Sequence, residues 1–260
     1  MSISTVSNEK APGHWLLARL GKKILRPGGR ELTTRLLNKL GLTNQDHVVE
    51  FAPGVGATAR ALLAYQPASY TAVERDEEAA AITRKVVTPS GGKVVLSTAQ
   101  QSALPEGSAT VVVGEAMLTM QSDVNKNAVM SEAHRLLQTG GRYVIHELCL
   151  IPDDISEERS QAVWDDLSRS IHVGARPLTA ASWRAILENN GFRVIAEERA
   201  DMALLAPRRV IDDEGLWPAM RFFARVATDR SARSRVKSMH ACFNRLHNNM
   251  GAIGLIVEKV

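Results

Sequence analysis

Between residues 47 and 148 the chain switches hydrophobic period repeatedly, and this alternation constrains its fold more than any other feature. Short apolar, β-branched runs occur at 47–51 (HVVEF), 70–73 (YTAV), 93–96 (KVVL), 110–113 (TVVV) and 142–148 (RYVIHEL). Between them, 57–65, 77–87 and 125–137 carry apolar residues at helical spacing. Parallel strands need a long crossover, usually a helix, so this alternation predicts stacked βαβ units. Helices then cover both faces of the sheet, which explains strands that are apolar almost throughout. The expected fold is an open, doubly wound, mostly parallel α/β sheet.

The flanks elaborate that sheet. Residues 1–12 read as a polar tail, 14–25 as a helix broken by Pro27-Gly28-Gly29, and 31–40 as a second helix with Leu32, Leu36, Leu37 and Leu40 on one face. Gly41 is a suitable C-terminal stop. After the fifth strand, 155–170 and 180–190 look helical, 192–195 begins a sixth strand, and 252–257 (AIGLIV) forms a seventh. The intervening 201–250 is too long for a turn and has helical patterns of its own. In its last helix Val236, Met239, Phe243, Leu246 and Met250 form a stripe that faces core or a bound apolar ligand.

Composition narrows the class. With 260 residues, 45% hydrophobic and 23% charged, the chain is neither fibrous nor disordered. Its net charge of +4 does not by itself call for nucleic acid. Two cysteines, Cys149 and Cys242, make neither a disulfide framework nor a structural zinc site, so no metal is expected. The N-terminus lacks a signal-peptide pattern, and no apolar run approaches the ~20 residues of a membrane-spanning helix. A cytoplasmic protein without a transmembrane segment is the expectation.

The segment HVVEFAPGVGATARA carries the most chemistry. A buried strand ends in Glu50-Phe51-Ala52-Pro53-Gly54-Val55-Gly56, and a helix follows. Glycines there let the backbone turn and approach a ligand closely, and the helix N-terminus favours polar or anionic groups. The acidic residue four positions before Gly54 adds specificity. Here the chain resembles the class I S-adenosylmethionine-dependent methyltransferases, whose first motif, acidic-x-small-x-G-x-G, is matched by Glu50, Ala52, Gly54 and Gly56. Ala52 stands where the family more often has glycine. Further similarities follow in the family's order: Glu74 ends the second strand, Arg75 follows it, and Gln100-Gln101-Ser102-Ala103-Leu104-Pro105 comes after the third. LLQTGG at 136–141 and LENNGF at 187–192 resemble the family's turns into the fifth and sixth strands.

The resemblance implies a Rossmann-like seven-stranded sheet that binds S-adenosylmethionine and releases S-adenosylhomocysteine. It implies that Glu50 and the Gly54–Gly56 bend meet the amino-acid end, and that Glu74 takes the ribose hydroxyls. Arg75 falls at the adenine, as does Gln100 with its neighbour Gln101; Gln100 replaces the usual acid. The division expected is a single domain, 1–260, with a tail and helical cap at 1–44, a cofactor-binding core at 45–200, a helical lid at 201–250 and a final strand at 251–260.

Strand-end segments reach the methyl group in such a sheet. Methyl transfer needs a base only if the nucleophile must lose a proton. Candidates are Glu115 after the fourth strand, and His146 or Glu147 at the end of the fifth; these last two point to opposite sides because strand side chains alternate. Glu115 and His146 are the favoured pair. The chain lacks the Asn/Asp-Pro-Pro-Tyr/Phe motif of adenine-amine methyltransferases, and the pattern is closest to enzymes acting on quinones, lipids or secondary metabolites. The partner expected is therefore a small, partly apolar molecule rather than nucleic acid. Two alternatives follow from other features. Gly54-x-Gly56-x-x-Ala59 also satisfies the fingerprint of an NAD-type dinucleotide-binding oxidoreductase. The segment 201–250 has nine basic against five acidic residues, which suits RNA phosphates or an anionic membrane surface.

Overall fold

The computed structural model describes residues 7–260; the beginning of the expected N-terminal tail lies outside the described residues. Two helices come first, α1 (Gly13–Arg19) and α2 (Gly29–Leu40). The alternating region follows: β1 (His47–Phe51), α3 (Ala57–Leu63), β2 (Ser69–Glu74), α4 (Glu77–Val87), β3 (Lys93–Leu96), β4 (Ala109–Glu115), α5 (Asp123–Leu136) and β5 (Leu137–Leu150). The last third contains α6 (Glu157–Ile171), β6 (Leu178–Thr179), α7 (Ala180–Asn189), β7 (Phe192–Asp201), α8 (Pro207–Glu214), α9 (Leu216–Thr228), α10 (Arg230–Arg245) and β8 (Met250–Lys259).

The strands lie in the order β3-β2-β1-β4-β5-β8-β7, with β6 pairing beside the end of β5. All neighbours are parallel except β8, which runs against both β5 and β7. Chain order reverses between β1 and β4, so their carboxyl ends open a crevice at the point where such sheets bind ligands. Glu50, Glu74 and Glu115 come from the ends of β1, β2 and β4 at this one edge.

Alternation along the strands divides the interior. Val49, Phe51, Val112, Tyr143 and Ile145 pack with α5 and α7, including fully buried Trp183. Val48, Val111, Val113 and Val144 face the opposite way and meet Leu32, Leu36, Leu37 and Leu40 of α2. Each such leucine contributes about 1.5–3 kcal/mol by leaving water. A separate apolar cluster joins α1, α6, α9 and α10 above the strand ends, and Met239, Phe243, Leu246 and Met250 of the expected stripe belong to it.

Several elements depart from the sequence expectation: short β6 adds an eighth strand to the expected seven, and β7 and β8 run longer than the apolar runs that mark them. The first helix stops at Arg19 instead of continuing to Leu25. Buried Lys22 is drawn to Asp213 at 3.3 Å and Glu214 at 3.6 Å, and a Glu214 oxygen accepts the backbone N–H groups of Lys23 and Ile24 at 2.9 and 2.8 Å. Those contacts replace helical hydrogen bonds and turn residues 20–28 into a strap. β5 is also longer than the apolar run 142–148: β8 pairs with it through Leu150, and at its start Leu137 pairs with Ala109 of β4.

Candidate active site

At the end of β1 the backbone adopts left-handed angles at Ala52 (φ +50°), Gly54 (φ +58°) and Gly56 (φ +73°). The two glycines do different work. A Cβ added to Gly54 would point into open space, its nearest neighbour being the Ala52 carbonyl at 4.0 Å. One added to Gly56 would lie 3.1 Å from a Val86 methyl, so Gly56 permits close packing of α3 on α4. Ala52 carries a Cβ in a conformation that is unfavourable for L-residues, and its N–H donates to the Val73 carbonyl at 2.9 Å.

Glu74 ties this bend to β2. One of its oxygens accepts the Gly54 N–H at 3.2 Å, and the other accepts those of Arg75 and Asp76 at 2.8 and 3.0 Å. Burial raises its pKa, and the three N–H donors oppose that rise. Glu50 is buried beneath the bend and accepts the Tyr70 hydroxyl. Burial, opposed by this hydrogen bond and reinforced by the charge of Glu115, pushes its pKa up to about 8.

Glu115 sits at the centre of a polar cluster. Thr33 donates to it at 2.6 Å, His146 Nδ1 lies 2.9 Å away, Arg26 pairs with it at 3.3 Å, and Thr58 donates to its other oxygen. Burial alone would raise its pKa; Arg26, His146 and Thr33 outweigh that and hold the carboxyl well below the usual range. Such a carboxylate is a weak proton acceptor. His146 is fully buried, with Nδ1 2.9 Å from Glu115 and Nε2 against the Pro27 carbonyl. The ring, a candidate base from the sequence, lies behind the cavity wall and does not line it. Its neighbour Glu147 is the residue that faces the cavity, and it accepts the N–H groups of Met117, Leu118 and Thr119 at 2.8, 2.7 and 3.0 Å. Burial raises its pKa against these donors.

A cavity of about 740 Å³ opens over these strand ends. Glu50, Ala52, Gly54, Glu74, Arg75, Gln100 and Glu115 line it, whereas Gly56, Gln101 and His146 do not. Gln101 is exposed, and its carbonyl accepts the Ser97 hydroxyl at 2.6 Å in a local turn. The opposite wall is apolar, with Leu17 and Leu25 from the N-terminal cap, Leu167 and Ile171 from α6, Leu204 after β7, and Met239 and Phe243 from α10. Sequence reasoning missed two lining residues. Arg26 enters from the strap, and its buried Nε has no hydrogen-bond partner among the described residues. His14 lies against Trp15 at 4.8 Å between ring centroids, and burial together with Arg75 lowers its pKa to about 4. The Pro27-Gly28-Gly29 break marked this region as irregular, but no spacing rule brings it over β1.

A parallel sheet with one reversed strand between β5 and β7, a glycine bend at its switch point and a carboxylate ending the adjacent strand define the class I methyltransferase architecture. The methyltransferase domain family matches residues 16–197. The chain is 31% identical over 251 residues to an uncharacterized protein of Haemophilus influenzae, covering 95% of this chain and 98% of that one. Its structure is similar to that of a Haemonchus contortus phospholethanolamine N-methyltransferase 2 in complex with phosphomonomethylethanolamine and S-adenosylhomocysteine, with a TM-score of 0.71, 14% identity, and 98% and 59% of the two chains covered. It is also similar to that of the [4+2]-cyclase SpnF, with a TM-score of 0.68, 15% identity, and 94% and 92% covered. At those identities the likeness concerns the fold. The chain belongs to the methyltransferase domain family and is an S-adenosylmethionine-dependent methyltransferase.

Proposed function

We propose that this protein methylates a small, partly apolar molecule held between the strand ends and the helices above them. The observation that carries the reading is the two-sided cavity, polar and partly backbone-made on the sheet side and apolar on the lid side. Its volume of about 740 Å³ lies within the range of small-molecule sites, roughly 300–1,000 Å³.

The sheet side fits S-adenosylmethionine. Glu74 is at the strand end where a carboxylate can accept from two ribose hydroxyls. Gly54 leaves the space that a side chain would fill. Gln100 lines the cavity beyond β3 and offers an amide to the adenine. Arg26, with its unpartnered Nε, is suited to the amino-acid carboxylate, while Glu50 supports the bend from below. When bound, S-adenosylmethionine supplies a methyl group on a sulfonium, an electrophile that needs no further activation.

The chain then has to orient the acceptor and exclude water. Leu17, Leu25, Leu204, Met239 and Phe243 do both. Glu115, held ionised, acts by fixing Arg26, Thr33 and Thr58 around the cavity. His14 also lines the cavity, but burial and Arg75 lower its pKa to about 4, so like Glu115 it is a weak proton acceptor, and the reading rests on positioning without a dedicated base. A groove for RNA is not favoured by these contacts, since Arg235 is engaged with the Glu9 carbonyl at 2.7 Å and Arg245 with Asp166 at 3.0 Å. The test is transfer of a labelled methyl group from S-adenosylmethionine into metabolite extracts separated by polarity. Label is expected in a small, moderately apolar product; label in RNA alone would contradict the reading.

A further inference from the structure

Helix α9 carries an apolar surface on its outer side as well as its inner one. Inward, Ala219 and Phe222 are buried in the cluster with Leu16, Leu17 and Leu20. Outward, Leu216 is 57% exposed, Trp217 75% and Met220 52%. These three lie within one helical turn, and exposed Ala224 and Ala227 continue the side. A helix resting on a globular protein ordinarily places charged residues there. Three large apolar side chains together mark a surface that is covered in use.

The charges on α9 itself are of one sign. From Gly215 to Thr228 there is no acidic residue; Arg221 on the flank of the stripe and Arg230 at the start of α10 are exposed, and exposed Arg225 and Arg233 donate only to the Leu20 and Ala227 carbonyls at 3.3 and 3.0 Å, which leaves their charge unpaired. Lys23 joins them, because Glu214 holds its backbone N–H beside the turn that leads into α9. Lys23 also lines the cavity. The nearest acid in sequence, Glu214, has a buried side chain that accepts the N–H groups of Lys23 and Ile24, and Asp229, at the far end of α9, caps α10 and accepts from Asn8 at 2.8 Å.

We propose that α9 docks on the surface of an anionic phospholipid bilayer, with Leu216, Trp217 and Met220 at the acyl boundary and the arginines at the headgroup phosphates. A Trp, Leu and Met face rimmed by basic residues is the pattern of helices that lie in the membrane interface. No described helix is long and apolar enough to cross a membrane, so the contact is with one leaflet surface. A second copy of the chain is a poorer occupant, because a two-fold contact would bring the same unneutralised arginines face to face. The docking does not depend on which acceptor the cavity takes.

The test is co-sedimentation of the full chain at low salt with vesicles of phosphatidylcholine containing phosphatidylglycerol, and with vesicles of phosphatidylcholine alone. Binding to the anionic vesicles is expected to exceed that to the neutral ones by about tenfold or more and to weaken with added salt. The double variant Trp217→Ser/Met220→Ser, altered only at exposed side chains, is expected to lose about tenfold or more of that binding while retaining its affinity for S-adenosylhomocysteine. Failure to sediment with either vesicle, equal binding to both, or unchanged binding by the double variant overturns the proposal. Self-association abolished by the same substitutions, without vesicle binding, would also overturn it and assign the patch to a second copy.

Discussion

The two walls of the cavity are built on different principles. The sheet wall is set by backbone: consecutive turns at Ala52, Gly54 and Gly56, three N–H groups converging on Glu74, and a buried Glu50 beneath. The lid wall is set by side chains contributed by α1, the strap after it, α6, the segment after β7, and α10. A backbone-made wall tolerates little change, because moving one residue moves the strand end that carries it. A wall of separate helical side chains can vary its shape while the cofactor half stays fixed. The proposed function places donor binding at the first wall and acceptor choice at the second.

The largest effect expected from breaking this division is at Glu74. Glu74→Ala removes a carboxylate from the ligand and from three backbone donors, and should weaken S-adenosylhomocysteine binding roughly 10- to 100-fold by calorimetry. An equally large change in acceptor KM at saturating donor would show that the walls are not separable. The complementary change is Leu204→Asn, which alters the lid wall at a half-buried position. It should raise acceptor KM about 5- to 10-fold and leave donor affinity within about threefold.

Glu50 probes the support under the sheet wall through pH. Its folded pKa of about 8 lies above the ordinary glutamate value of 4.5, so the folded state binds this proton more tightly than the unfolded chain does. Its contribution to stability is therefore fully present below about pH 4.5 and is lost as pH rises through about 8. Glu50→Gln cannot ionise, so its Tm should fall less than that of the parent between about pH 6 and pH 9. An identical decline in both proteins would place the buried charge elsewhere. The smallest effect is at Ala52, where Ala52→Gly relieves about 1 kcal/mol of left-handed strain and gives part of it back through the freedom of glycine in the unfolded chain. A Tm increase of about 1–3 °C is expected, with donor affinity unchanged or slightly improved.

Sequence pattern made the sheet wall readable and left most of the lid wall obscure. β1, β3 and α4 have the bounds that periodicity predicts: burial on a doubly covered sheet decides β1, whereas edge strand β3, with no buried residue, is read from its short β-branched run. The glycine bend was legible for the same local reason, although its second glycine proves to serve helix packing. Residues 20–28 were unreadable as a strap because the cause is remote: Lys22 meets Asp213 and Glu214 from the far end of the chain. Strand alternation separates His146 from Glu147, but only the tertiary covering decides which faces the cavity. Arg26 belongs to no periodic pattern, and its place beside Glu115 follows from the path of that strap.

The most direct test of the central claim, that the bend after β1 and the carboxylate of Glu74 form a nucleoside pocket for S-adenosylmethionine, is a calorimetric titration with S-adenosylhomocysteine. The account predicts saturable binding at one site per chain, lost or strongly weakened in Glu74→Ala. Absence of heat with S-adenosylhomocysteine, together with saturable binding of a nicotinamide dinucleotide, would contradict it.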